Sequence, residues 1–244
     1  MPDLTPIHMM YVFCLDDYHV GDPHFLQSLA REITGSRPNP PRILMVHGSG
    51  EAAERALEGQ GRFRKRTEGV LAIGSAEEAA IVDRATRQAN QKVVDTLTDE
   101  IVPAVSVQGD ARNLFVHTDS GVQVGSTGWL RDLVENEGVP VISSIARHPQ
   151  TGGAREVSLA EAVVALAGAL DSNDLQIVAF VRSQGRNLFD KRDTPIGVRD
   201  LPDEKAIPAR DTVVRAVERG QQVLLTTPTF FFGSDSGRGR AVIA

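Results

Sequence analysis

Apolar and polar positions follow two rhythms along the chain. Short, nearly unbroken apolar runs occur at residues 9–15 (MMYVFCL), 42–46 (RILMV), 104–108, 114–117, 140–145 (PVISSI), 176–181, 222–226 and 240–243. Runs of this length and composition read as strands buried on both faces. Between them lie stretches with apolar residues at helical spacing: 23–34, 51–57, 76–99, 128–136, 159–170 and 212–219. In 23–34 the residues Phe25, Leu26, Leu29 and Ile33 share one face, and Asp22 stands where an N-cap is expected. Buried strands alternating with helices predict an α/β fold with a mostly parallel sheet covered on both sides. The Pro-rich segment 36–42 breaks the pattern, and 151–155 and 186–205 read as irregular. No internal repeat or low-complexity segment is present.

Length and composition narrow this picture. A chain of 244 residues is long enough to bury a core without disulfides or structural metals. With 26 basic and 32 acidic residues the formal net charge is −6, which argues against a nucleic-acid partner. Four of the basic residues are lysine (Lys65, Lys92, Lys191 and Lys205) and the rest are arginine. The one cysteine, Cys14, excludes an internal disulfide framework. The first ten residues lack a basic region followed by an apolar core, and no apolar run approaches the ~18 residues of a membrane span. These features predict a cytoplasmic protein without a membrane partner.

Several local motifs carry possible chemistry. The turn His47-Gly48-Ser49-Gly50 follows a strand and opens a helix, a place where backbone N–H groups can meet an anion; the same glycines also suit a tight turn with no ligand. Asp16, Asp17, His19, Asp22 and His24 crowd into one segment. They could ligate a metal, but Asx-turns and a helix cap account for them more simply, so no metal site is assigned. Arg62, Arg64 and Arg66 form a basic cluster that suits a phosphate or, in so acidic a chain, a solvated loop. His117 and His148 stand apart from any nucleophile turn, so no hydrolase triad is inferred. The Gly/Ser-rich stretch 233–240 reads as a phosphate cradle or a flexible loop. No G-x-G-x-x-G follows the first strand, which argues against a dinucleotide.

Taken in order, these segments resemble the amino acid kinase family, most closely its acetylglutamate kinase branch, over nearly the whole chain. VHGSG at 46–50 looks like the family's VHGGG loop, and DPHFLQSLAREI at 22–33 like its first helix. TEGVLAIGSAEEAAIVD at 67–83, VGSTGWLRDLVENEGVPVISSIA at 124–146, AIPARDTVVRAVERG at 206–220 and GSDSGRGRAVI at 233–243 are similar to later family segments. The resemblance implies a three-layer α/β/α sandwich, with a substrate and dimer half at about 1–150 and a nucleotide half at about 151–244. It implies a carboxylate phosphotransferase using ATP and Mg²⁺ on an N-acylated amino acid such as N-acetylglutamate. By position it assigns His47, Gly48, Ser49, Gly50, Gly69 and Asn90 to substrate, and Arg182, Gly185 and Arg210 to nucleotide. A homodimer, or assembly with a related kinase, is the implied partner.

The same comparison exposes departures. The family's first strand ends K-x-G-G, where this chain has Cys14-Leu15-Asp16-Asp17. Its second lysine falls on Ala209, and the Asp that organises both lysines falls on Ala160, with Ser158 in place of the neighbouring Asn. Its substrate arginine falls on Leu71, and its nucleotide-side Asp on Arg182. These losses favour a protein of weak or no catalytic activity, with a regulatory or small-molecule-binding role linked to arginine or related amino-acid biosynthesis. The alternative is an active phosphotransferase in which arginines replace the lysines, or in which Asp16 and Asp17 hold Mg²⁺.

Overall fold

Every residue of the first strand, β1 (Met10–Leu15), is out of water, as expected of a strand at the centre of a covered parallel sheet. The computed structural model describes residues 9–149, 153–170, 174–182, 188–189, 194–233 and 238–244. After β1 come α1 (Asp17–Gly21), α2 (Pro23–Gly35), β2 (Arg42–His47), α3 (Gly50–Glu58), β3 (Arg66–Thr67) and β4 (Val70–Leu71). Next are α4 (Ala76–Asp99), β5 (Ala104–Val107), β6 (Phe115–Thr118), β7 (Gly121–Val124), α5 (Gly128–Glu135), β8 (Val139–Ser143), β9 (Ile145–Arg147) and β10 (Ala154–Glu156). The chain continues through α6 (Leu159–Leu170), β11 (Leu175–Phe180), β12 (Ile196–Gly197), α7 (Arg210–Glu218), β13 (Val223–Thr226), α8 (Pro228–Phe232) and β14 (Arg240–Ile243).

Eight strands form the main sheet in the order β12-β14-β13-β11-β1-β2-β8-β5. The six from β13 to β5 are parallel, and β14 runs antiparallel to β13. The period of two sorts side chains between the faces. Val12, Cys14, Leu44, Val46, Ile177 and Ala179 pack with residues of α5, α6 and α7, while Tyr11, Phe13, Ile43, Met45, Val178 and Phe180 pack with α2, α4 and α8. The result is the expected three-layer α/β/α sandwich with a mostly parallel sheet.

Local chemistry explains the helix ends. Asp22 caps α2 by accepting from the N–H groups of His24 and Phe25, and Ser75 caps α4 by accepting from Glu78 N. Other expectations need correction. The apolar run 140–145 is two strands, because the chain leaves the main sheet at Ser144 and continues as β9. The run 114–117 contributes β6 to a separate four-stranded sheet, β10-β9-β6-β7. The acidic segment after β1 folds into α1, and the region read as irregular around 151–155 contains part of β10. Residues 234–237 of the Gly/Ser-rich stretch, residues 150–152, and Gly185 and Lys191 lie outside the described residues. Among the described residues no helix is long and apolar enough to cross a membrane.

Phe13 is fully buried and meets Phe180 and Phe231 edge to face, with centroids 5.2 and 5.1 Å apart. Phe13→Ala is expected to cost about 3–5 kcal/mol, read as a lower midpoint in denaturant unfolding. A loss below 1 kcal/mol would contradict this account of the core.

Candidate functional site

Parallel strands bring their carboxyl ends to one edge, and the edge outside β1 is where this sheet reverses its winding. The chain leaves β1 towards β2 on one side and returns beside β1 only with β11 on the other. Such a switch point is the usual place for a crevice. Here it is a cleft of about 420 Å³ to which the segments after β1, β2, β8 and β11 contribute Asp16, Gly48, Ser144 and Arg182.

Asp16 is committed to the fold. Its Oδ1 accepts from His19 N at 3.1 Å and its Oδ2 from His19 Nδ1 at 2.6 Å, so it caps α1 and fixes the imidazole. Asp17 begins α1 half-buried, with Arg66 Nε 3.9 Å away. Burial, with Glu156, Asp16 and Glu54 nearby, raises its carboxyl above the usual range against the opposing pull of Arg66. Cys14 lies beneath, fully buried, its thiol pushed up by burial and by Asp16. Such a thiol stays protonated and inert.

The turn after β2 divides between floor and cleft. His47 is buried and donates from Nδ1 to Gly48 O at 2.7 Å, while its Nε2 accepts from Asn90 Nδ2 at 2.9 Å. Asn90 also donates to Val141 O and accepts from Ser106 Oγ. Both side chains therefore serve a buried network below the cleft and do not line it. Gly48 and Gly69 do line it, and Ser49 and Gly50 border the adjoining depression behind α1. A Cβ on Gly48 would stand 3.3 Å from Asp17 Oδ1 and 3.9 Å from Ser144 Oγ, so glycine keeps that corner open.

Arg66 straps the wall. Its guanidinium donates to Glu54 Oε1 at 2.7 Å, Ser49 Oγ at 2.8 Å, Gly50 O at 2.9 Å, Gly69 O at 2.8 Å and Glu156 Oε1 at 3.4 Å. The other two arginines of the sequence cluster turn outward to α4, Arg62 to Glu77 and Arg64 to Glu78. At residues 62–65 the cluster is a largely exposed loop, in line with the solvated-loop reading. It consists of ion pairs, with one arginine drawn inward.

On the far side, the Arg182 guanidinium lies 3.6 Å over the Tyr18 ring, and its buried Nε has no hydrogen-bond partner among the described residues. Arg210 turns away, donating from Nε to Pro202 O at 3.0 Å. Ala160 and Ala209 are buried at the starts of α6 and α7 and offer no polar group. Ser144 Oγ is wholly buried at the cleft and also without a partner among the described residues. Neither Ser144 nor Glu156 was singled out from the sequence; the available signal for Ser144 was a second serine inside an otherwise apolar run.

Charge decides what this arrangement can do. Among the described residues, Asp16, Asp17, Glu51, Glu54, Glu68, Glu156, Glu204 and Asp211 line the cleft. Among the described residues Arg66 and Arg182 are the only cations lining it, and none of the described lysines does. No group of three or more His, Cys, Asp or Glu among the described residues converges to hold a metal ion.

Burial holds His47 neutral, with its pKa lowered to about 4 despite the bond to Gly48 O. The unfolded chain therefore takes up this proton first as pH falls, and stability drops between about pH 6.5 and 4, by at most about 3 kcal/mol. The check is an NMR titration of the imidazole: protonation near pH 6.5 in the folded protein would refute the buried network.

No protein-family model matches the chain, and no curated protein sequence matches it. Solved structures do match. The smu.665 protein from Streptococcus mutans superposes with a TM-score of 0.67 at 16% identity, over 96% of this chain and 98% of that one. N-acetylglutamate synthase from Neisseria gonorrhoeae gives 0.70 at 15% identity, over 97% of this chain and 59% of the larger one. An isopentenyl phosphate kinase gives 0.64 at 15%, covering 96% and 99%. The chain has the fold of these amino acid kinase-like proteins, and at such identities the likeness establishes the fold alone.

Proposed function

We propose that this protein is a non-phosphorylating relative of the amino acid kinases that binds a small molecule in the cleft outside β1 and acts as a regulatory or binding protein. The observation that carries this reading is the charge of the cleft. Phosphoryl transfer requires cations and N–H donors around the transferring group. The two lysine positions implied by the family resemblance are occupied by the buried Cys14 and Ala209, and the described lysines Lys65, Lys92 and Lys205 are exposed outside the cleft. A phosphate oxygen about 4 Å from a carboxylate costs about 4 kcal/mol at a partly screened site. This cleft would impose several such contacts.

The residues present do not fit ATP with Mg²⁺. Both oxygens of Asp16 are held by His19, so the pair Asp16 and Asp17 is not arranged as a metal clamp. One observation favours the alternative of an active carboxylate phosphotransferase: the unpartnered Nε of Arg182 is a cationic donor suited to an anion. Among the described residues it stands alone, since Arg66 is already shared among Glu54, Glu156 and Asp17. A link to amino-acid biosynthesis, a cytoplasmic location and a homodimer are further parts of this reading, supported by the sequence resemblance.

Thermal unfolding tests it directly, because a ligand at 100 times its dissociation constant stabilises the native state by about 2.7 kcal/mol. Millimolar ATP·Mg²⁺ is expected to leave the melting temperature unchanged, and no phosphate should pass to N-acetylglutamate. A rise in melting temperature accompanied by turnover would overturn the proposal.

A further inference from the structure

The cleft disfavours anions, and the same observations indicate what it favours. Its carboxylates are spread around the walls and do not converge on a point, since no metal-holding group exists among the described residues. Spread negative charge suits an extended cation better than a bare metal ion. Five of these eight carboxylates have other partners: Asp16 has His19, Glu51 has Arg55, Glu54 and Glu156 share Arg66, and Asp211 pairs with Arg215. Asp17 is different. Arg66, 3.9 Å away, is its ion-pair contact, and its Oδ1 lies beside Gly48, 3.3 Å from where a Cβ on that residue would stand.

A second observation is independent of charge. Ser144 is completely buried, and its hydroxyl has no hydrogen-bond partner among the described residues. A buried polar group without a partner is costly, and native proteins keep few of them. Its neighbours do not share this condition: Ser143 Oγ donates to Gln108 and accepts from Gly109 N, and Ser49 Oγ is bonded to Glu156 and Arg66. Ser144 Oγ and Asp17 Oδ1 flank the same corner, the one left open by the missing side chain of Gly48. An acceptor oxygen and a carboxylate at one corner suit a group that carries both positive charge and several N–H donors.

We propose that the cleft binds a small organic cation, a di- or polyamine or a guanidine, whose nitrogen head group contacts Asp17 and the Ser144 hydroxyl beside Gly48. This rests on the reading that the cleft holds no phosphorylated nucleotide. It assigns the ligand class and two contact residues. Asp17 must be ionised to hold the cation. Its carboxyl is raised by burial and by Glu156, Asp16 and Glu54, against the pull of Arg66. Binding therefore strengthens as pH rises through that raised value, and the cation displaces a proton as it binds.

Calorimetry on the full chain with putrescine, spermidine and agmatine, at matched ionic strength, tests the proposal. Saturable one-to-one binding of at least one of these is expected, weakened about tenfold in Asp17→Asn. Ser144→Ala should melt above the wild type without ligand, because it removes an unsatisfied buried hydroxyl, yet bind about fivefold more weakly. A merely structural serine would not give that combination. Three results would each overturn the proposal: no binding by any of the three cations, unchanged binding in both variants, or the same melting shift from MgCl₂ at equal ionic strength. Binding of ATP·Mg²⁺ would instead overturn the reading of the cleft itself. Failure of the amines and of ATP together removes this proposal and leaves that reading in place.

Discussion

A carboxylate taken out of water must be met by donors, and Glu156 is the carboxylate around which the cleft wall is assembled. Its side chain is 1% exposed. Ser49 Oγ from the turn after β2 donates to Oε1, as does Arg66 Nη1 from β3, and Leu71 N from β4 donates to Oε2. None of these segments has much structure of its own, since β3 and β4 are two residues each. Pairing with one buried charge joins the β3–β4 hairpin, the β2 turn and the small sheet into a single wall. Removing either partner of such a pair strands the other, which makes the arrangement all-or-none.

That structural demand shapes the chemistry of the site. Burial alone would lower the Arg66 guanidinium, but Glu156, Asp17 and Glu54 outweigh it and raise its pKa. The cation is therefore fully shared within the protein and has little left to offer a phosphate. The three carboxylates around it exceed its single charge, and burial together with the neighbouring acids raises the Asp17 carboxyl. The wall that holds the cleft open thus leaves it electronegative.

Much of the fold was legible in the sequence because burial and periodicity coincide there. The helix 76–99 and the helix 159–170 match α4 and α6 end to end, and Asp22 caps α2 as its position suggested. What stayed hidden was set by tertiary partners. A five-residue helix such as α1 has too little length for a period, and β9 and β10 are three-residue strands paired only with each other and β6. The site divides the same way. Gly48, Gly69 and Arg182 line the cleft, whereas His47 and Asn90 bond to each other below it. Local sequence cannot distinguish a histidine that faces a ligand from one that faces an asparagine 43 positions away. Arg66 was visible only as one of three neighbouring arginines, because its role depends on Glu156, 90 residues distant.

Helix polarity completes the inversion of the site. The N-terminal ends of helices at such an edge carry partial positive charge and can draw an anionic ligand. In this chain the protein's own acids take those places: Asp17 in the first turn of α1, Glu51 in α3 and Asp211 in α7, all three lining the cleft. An incoming phosphate would have to compete with carboxylates that are covalently fixed and already favourably placed. The crevice at the switch point thus has helices aimed at it whose own acidic side chains occupy their tips.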